Sequence, residues 1–173
     1  MGVQGFHGGI IAYLTAMECF SYIGKVMESG WFWGRIVDMY LIKVSVGKSG
    51  IEGNGVFVVE DIKKDSITWK FDPQHDMVLT PEQFEALDAK TKESVLRVAY
   101  LSPTSNCWIY PAEDDPALFT NHSKTSNQSV VFDKSVSGEP FFRANRDIKA
   151  GEELTVNYEE FDARPADLLE EWI

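Results

Sequence analysis

Residues 146–158 read RDIKAGEELTVNY. Asp147-Ile148-Lys149 precedes a turn at Ala150-Gly151, and a short strand is expected to follow it and end on Tyr158. An upstream stretch, VVEDIKKDSIT at 58–68, has the same order: Asp-Ile-Lys, a turn, a short strand. Two similar corners bracketing one region imply two small sheets packed together, either as a duplicated β unit or as one convenient corner used twice. A third stretch, ALFTNHSKTSNQ at 117–128, lies between them and gathers Asn121, His122, Ser123 and Asn127 behind apolar residues.

Length and charge bound the possibilities. The chain of 173 residues is long enough for one domain with a real core. Its formal net charge of −11 argues against nucleic acid as a direct ligand and makes a basic protein or peptide the natural partner. Cys19 and Cys107 form no CxxC pair and have no neighbouring His, so no metal site is expected and an intracellular, reducing setting fits. The apolar run IIAYLTAM near the N-terminus is too short to span a bilayer and follows no basic residue, so no membrane association is expected. Phe6 stands where a myristoylation signal needs Ser or Thr, and Ile42 stands where a phosphate-binding loop ending VGKSG needs its first Gly.

Residues 1–38 form an aromatic and Gly-rich arm, expected to be partly helical, of unknown role. From Met39 to residue 173 the pattern is that of a compact domain. Strands are expected in MYLIKVSV, GNGVFVVEDI and SITWKFD, then a helical insert at about 80–100, then strands in CWIY, SVVFDK and PFFRANRDI, with KSVSGE as a hairpin turn. Thr80-Pro81-Glu82-Gln83 carries the signals of a helix start: an N-cap Thr, Pro at the first helical position and Gln closing a capping box. The second helix is expected in KTKESVLRVAYL. Strands, helices and strands in that order predict a mainly β (α+β) fold.

Taken singly, the chemical motifs are weak. Gly53-Asn54-Gly55 is an ordinary hairpin signal, a lone His122 is more often structural than functional, and Ser123 lacks the strand-to-helix setting of a nucleophile elbow. Together, GNGVFV at 53–58, NHSKTSN at 121–127 and EELTVNY at 152–158 resemble, in order and spacing, the SET-domain family of protein lysine methyltransferases. The resemblance covers roughly residues 41–160, in a small form without the Cys-rich zinc segments that flank many members.

The resemblance implies a β-clip fold of several small curled sheets, with the EELTVNY segment threaded beneath a preceding loop. It implies S-adenosylmethionine as cofactor, held at Gly53, Asn54, Gly55, Asn121 and His122, and Tyr158 as the catalytic residue for methyl transfer to a lysine ε-amine. Tyr110, Val156 and Phe161 are candidate substrate-channel residues, with Trp172 in the short C-terminal tail as an alternative cover. The chain departs from the family pattern at Leu118, Ser126, Val156, Asn157, Trp69 and Phe71, which leaves the number of methyl groups added open. A non-enzymatic SET-like or β-clip binding module is the alternative. The acidic C-terminal end, with Asp114 and Asp115, is either a solvated face or a surface that steers a basic substrate.

Overall fold

The computed structural model describes residues 40–165. The N-terminal arm and the end of the tail, Trp172 included, lie outside the described residues. The expected mainly β architecture is present: among the described residues ten strands form three small sheets, with a short helical insert.

The first sheet begins as a hairpin of β1 (Val44–Lys48) and β2 (Asn54–Val58). The hairpin turn is the five-residue stretch 49–53. The turn therefore precedes Asn54, which already pairs with Lys48 inside the ladder. Gly53 closes the turn at φ +49, a left-handed conformation that glycine adopts at little cost. The last strand, β10 (Glu153–Val156), inserts between β2 and the two-residue β7 (Asn121–His122), so the order is β1-β2-β10-β7. It runs antiparallel to β2 and parallel to β7.

Beyond β7, the Asn127 side chain acts as a further peptide unit along β10. Its amide donates to the Glu153 carbonyl at 2.8 Å, and its oxygen accepts from the Thr155 N–H at 3.0 Å. Gln128 adds a bond to the Thr155 carbonyl at 3.2 Å. Segment 121–128 thus grips the final strand from one side while β2 pairs with it on the other. That arrangement satisfies the main chain of a strand whose Leu154 and Val156 are fully buried.

The second sheet has the order β3 (Ile67–Lys70), β9 (Phe141–Ala144), β8 (Gln128–Val131), all antiparallel. Its inner face packs Trp69 and Phe142 against Val56, Val58, Ile148, Leu154 and Phe161 in the main core. The two Asp-Ile-Lys corners meet each other directly. Ile62 and Ile148 exchange both main-chain hydrogen bonds, at 2.9 and 3.0 Å. Lys63 pairs with Asp147 and Lys149 with Asp61, both at 2.8 Å, and each aspartate also accepts a main-chain N–H from the opposite corner. The corner is used twice because each copy completes the other about a local two-fold relation.

The third sheet, β4 (Met77–Leu79), β6 (Trp108–Tyr110) and β5 (Tyr100–Leu101), carries the insert. Helix α1 (Pro81–Glu85) starts with the expected capping box, and Asp88 caps α2 (Ala89–Val98). A small separate core of Phe84, Val95 and Ala99 holds the insert together, with Phe84 stacked on Trp108 at 4.5 Å between ring centroids. Two features differ from expectation. Strand β4 carries no strand signal that stood out in the sequence, and the second helix stops at Val98 because Tyr100 and Leu101 pair with Ile109 and Trp108.

The segment after Tyr158 locks the insert to the main core. Ala163 donates to the Leu101 carbonyl, and the Leu101 N–H donates to Asp162. Arg164 pairs with Asp162 and reaches the Leu96 carbonyl near the end of α2 at 2.8 Å, satisfying one of the acceptors that every helix C-terminus leaves open. Among the described residues no helix is long and apolar enough to cross a membrane.

Candidate active site

Strand β10 is the axis of the site. Its partner β2 brings the 53–55 turn, its partner β7 brings Asn121 and His122, and its own C-terminal end runs into Tyr158. Residues almost forty positions apart become neighbours because Val156 pairs in register with His122.

Asn121 sits at the mouth of the β1–β2 turn. Its amide nitrogen lies 3.0 Å from the Ser49 hydroxyl, 3.2 and 3.1 Å from the Glu52 and Asn54 carbonyls, and 2.7 Å from a Glu153 carboxylate oxygen. Ser49 in turn donates to Glu153 at 2.8 Å. Gly55 faces this cluster from β2. A Cβ at residue 55 would run into the Glu153 carboxylate, so glycine here makes room for a side chain of the protein. Of the two glycines, Gly53 alone has a positive φ. The corner is rich in acceptors, with two main-chain carbonyls and a carboxylate, and these contacts bring in no Lys or Arg.

His122 is half-buried, and its Nδ1 accepts the main-chain N–H of Tyr158 at 3.2 Å. The ring proton of the neutral imidazole therefore sits on Nε2. Burial lowers the His122 pKa from its ordinary value; Glu159 opposes this and Lys124 adds to it. The two rings meet edge to face, 5.3 Å between centroids. The phenol of Tyr158 donates to the Thr120 carbonyl at 2.6 Å, and burial pushes its pKa up to about 12, so it stays neutral through the physiological range. Its acceptor lone pairs are left for another partner.

The candidate channel residues fall in different places. Phe161 is buried beside Tyr158, with ring centroids 6.1 Å apart, and also packs edge to face on Tyr100 and Phe142. Val156 is 1% exposed, which sets its side chain among the core residues. Tyr110 packs with the insert's small core. Ser123 shapes a local turn by accepting the Thr125 N–H. Among the described residues no group of three or more His, Cys, Asp or Glu is arranged to hold a metal.

The steering surface is smaller than the sequence implies. Asp115 is 1% exposed, with its carboxylate taken by the Trp69 indole N–H at 2.9 Å and the Ala117 N–H at 2.8 Å. Asp162 is buried against Arg164, and Glu152 pairs with Arg146. Glu159, Glu160 and Asp114 remain exposed. Three site residues escaped the sequence reading: Ser49, Thr120 and Glu153. Glu153 was hidden in an acidic run that reads as a solvated face, and Ser49 and Thr120 carry no signal of their own.

A sheet in which a late strand is gripped by an Asn-His segment and ends on a tyrosine defines the SET class of domain. The SET domain family model matches residues 53–159, and the chain belongs to that family. No curated protein matches the chain at a significant level. Among solved structures, it is similar to a Plasmodium falciparum protein named as a candidate histone methyltransferase, with 24% identity and TM-score 0.48, over 68% of this chain and 93% of that one. It is also similar to a humanized mutant of the Chaetomium thermophilum Polycomb Repressive Complex 2 bound to the inhibitor GSK126, with 23% identity and TM-score 0.55, over 71% of this chain and 16% of that one. The second likeness supports the fold.

Proposed function

We propose that this protein transfers a methyl group from S-adenosylmethionine to the ε-amine of lysine in a protein substrate. The observation that carries the proposal is the convergence of Asn121, His122 and Tyr158 with the 53–55 turn around β10, the Tyr158 phenol being held on the Thr120 carbonyl at 2.6 Å.

The acceptors gathered around the Asn121 amide, the Glu153 carboxylate and the Glu52 and Asn54 carbonyls, fit the ammonium of the cofactor's amino-acid end. When bound, the cofactor supplies an electrophilic methyl on a cationic sulfur. The residues of this chain have the remaining work. A lysine amine with an ordinary pKa of about 10.4 must arrive neutral, and desolvation beside the aromatic rings of half-buried Tyr158 and buried Phe161 favours loss of its proton. The Tyr158 oxygen, with its own proton committed to Thr120, accepts from the amine and orients it. Alignment of this kind can supply roughly 7–11 kcal/mol of the barrier reduction. A basic substrate suits the net charge of −11 and the exposed Glu159, Glu160 and Asp114, and an intracellular setting is part of this proposal.

The test is calorimetric binding of S-adenosylmethionine to the wild type and to Asn121→Ala, followed by methyl transfer to a pool of basic proteins with Tyr158→Phe as control. Binding lost at Asn121 and transfer lost at Tyr158 are the expected results. A wild type that binds no cofactor would sink the proposal and leave a SET scaffold used for binding.

A further inference from the structure

Two phenols converge on one residue, Thr120. The Tyr158 hydroxyl donates to the main-chain carbonyl of Thr120 at 2.6 Å. The Tyr40 hydroxyl shares a hydrogen bond with the side-chain hydroxyl of the same Thr120, also at 2.6 Å. Tyr40 is 3% exposed and Thr120 6%. A buried hydroxyl without a partner is costly, so each of these two groups depends on the other. Tyr40 lies before residue 53, where the family match begins.

The surroundings make Thr120 a fixed point. Its N–H donates to the Ala117 carbonyl at 3.0 Å, closing the 3-10 turn Pro116–Phe119. Asp115 caps that turn and accepts the Trp69 indole proton, and Trp69 bridges to Tyr40 through the main chain. The Leu41 N–H donates to the Thr68 carbonyl at 2.8 Å, which ties the chain next to Tyr40 to β3. Tyr40 is thus anchored at its backbone by the second sheet and at its phenol by Thr120. Thr120 immediately precedes Asn121 and His122, so it joins the cofactor corner to the tyrosine.

We propose that Tyr40 is a positioning residue for Tyr158, acting through Thr120: its phenol holds the Thr120 side chain and thereby the direction of the carbonyl on which the Tyr158 hydroxyl rests. The inference builds on the transfer reading above. The Tyr158 hydroxyl has one proton, and where that proton points decides where its lone pairs point. A carbonyl free to rotate would let the phenol turn away from the reacting amine, and in-line transfer tolerates little misplacement.

The experiment compares Tyr40→Phe, Thr120→Val and Thr120→Ser with the wild type. One readout is the ring 13Cζ resonance of Tyr158 in the cofactor-free protein, which senses the hydrogen bonds at its oxygen and needs no turnover. The other is kcat and KM on a lysine-containing basic peptide that the wild type methylates. Loss of a hydrogen bond worth about 1 kcal/mol predicts a kcat lower by about five- to tenfold in Tyr40→Phe and Thr120→Val, with KM unchanged. The Tyr158 resonance should move in both variants. Thr120→Ser, which keeps the hydroxyl, should stay at wild type, and Tyr40→Phe combined with Thr120→Val should be no worse than either alone, because both remove the same bond.

A general loss of stability would not produce that split or that rescue. In an active enzyme, absence of either the kcat effect or the resonance shift overturns the proposal. If the wild type methylates no lysine, the transfer reading falls, and the Tyr158 resonance by itself decides whether Tyr40 controls that phenol.

Discussion

The main-chain N–H of Tyr158 donates to Nδ1 of His122 at 3.2 Å, so an imidazole from one end of the site holds the backbone of the tyrosine at the other. The bond exists only while Nδ1 is unprotonated. A protonated ring would present an N–H to an N–H.

This sets the sign of a pH dependence. Burial lowers the folded-state pKa of His122 below its ordinary 6.5. The stabilisation is present above 6.5 and is lost as pH falls through the lower folded value, because the unfolded chain then binds the proton first. Urea unfolding from pH 7.5 to 5 should show the wild type losing stability on acidification relative to His122→Phe, which cannot titrate. Parallel curves would show that His122 is not the group responsible.

Asp115 has the opposite sign. Burial raises its carboxyl to about 6 from an ordinary value of 3.8. Its contribution is fully present below the ordinary value and is lost as pH rises through about 6. Both oxygens accept in the structure, so Asp115→Asn sets an NH2 against either the Trp69 indole or the Ala117 N–H. The expected cost is roughly 1–3 kcal/mol in urea unfolding, with this component of the pH dependence removed.

Gly55→Ala tests the crowding at the proposed cofactor corner. The added methyl displaces the Glu153 carboxylate from Ser49 and Asn121. The displaced group is the end of a flexible side chain, so the fold should survive at a cost of about 1 kcal/mol or slightly more. Calorimetric affinity for S-adenosylmethionine should fall by about tenfold or more, a loss of about 1.4 kcal/mol. Unchanged affinity would remove Glu153 from the proposed ammonium site.

The Asp162–Arg164 pair ties the insert to the core with side chains only 2% and 5% exposed, respectively. Truncating one partner strands the other. Arg164→Ala should cost roughly 3–5 kcal/mol, and the double replacement Asp162→Leu with Arg164→Met markedly less. Equal losses in the single and double variants would mean that the main-chain bonds of Leu101 and Ala163 hold the insert instead.

Several features were legible in local sequence. The capping box at Thr80, the hairpin at Gly53-Asn54-Gly55 and the two Asp-Ile-Lys corners follow from short-range chemistry, and the structure contains all three. The order of GNGVFV, NHSKTSN and EELTVNY carried the family, and it nominated Asn121, His122 and Tyr158, which the fold brings together around β10.

The partners of those residues were not legible, for a physical reason. Glu153 and Glu152 are adjacent and identical in sequence, yet the fold sends them to different places: Glu153, the first residue of β10, enters the Asn121 corner and Glu152, just before the strand, pairs with Arg146 at the surface. Asp115 and Asp114 divide in the same way between core and solvent. Strand β4 and the early end of the second helix were settled by the strand beside them, since β6 offers pairing on both of its edges. Thr120 became a junction because Tyr40 and Tyr158, 118 positions apart, arrive on its hydroxyl and its carbonyl. Local chemistry therefore determined the motifs and the family, and long-range packing alone decided which neighbour each polar group would serve.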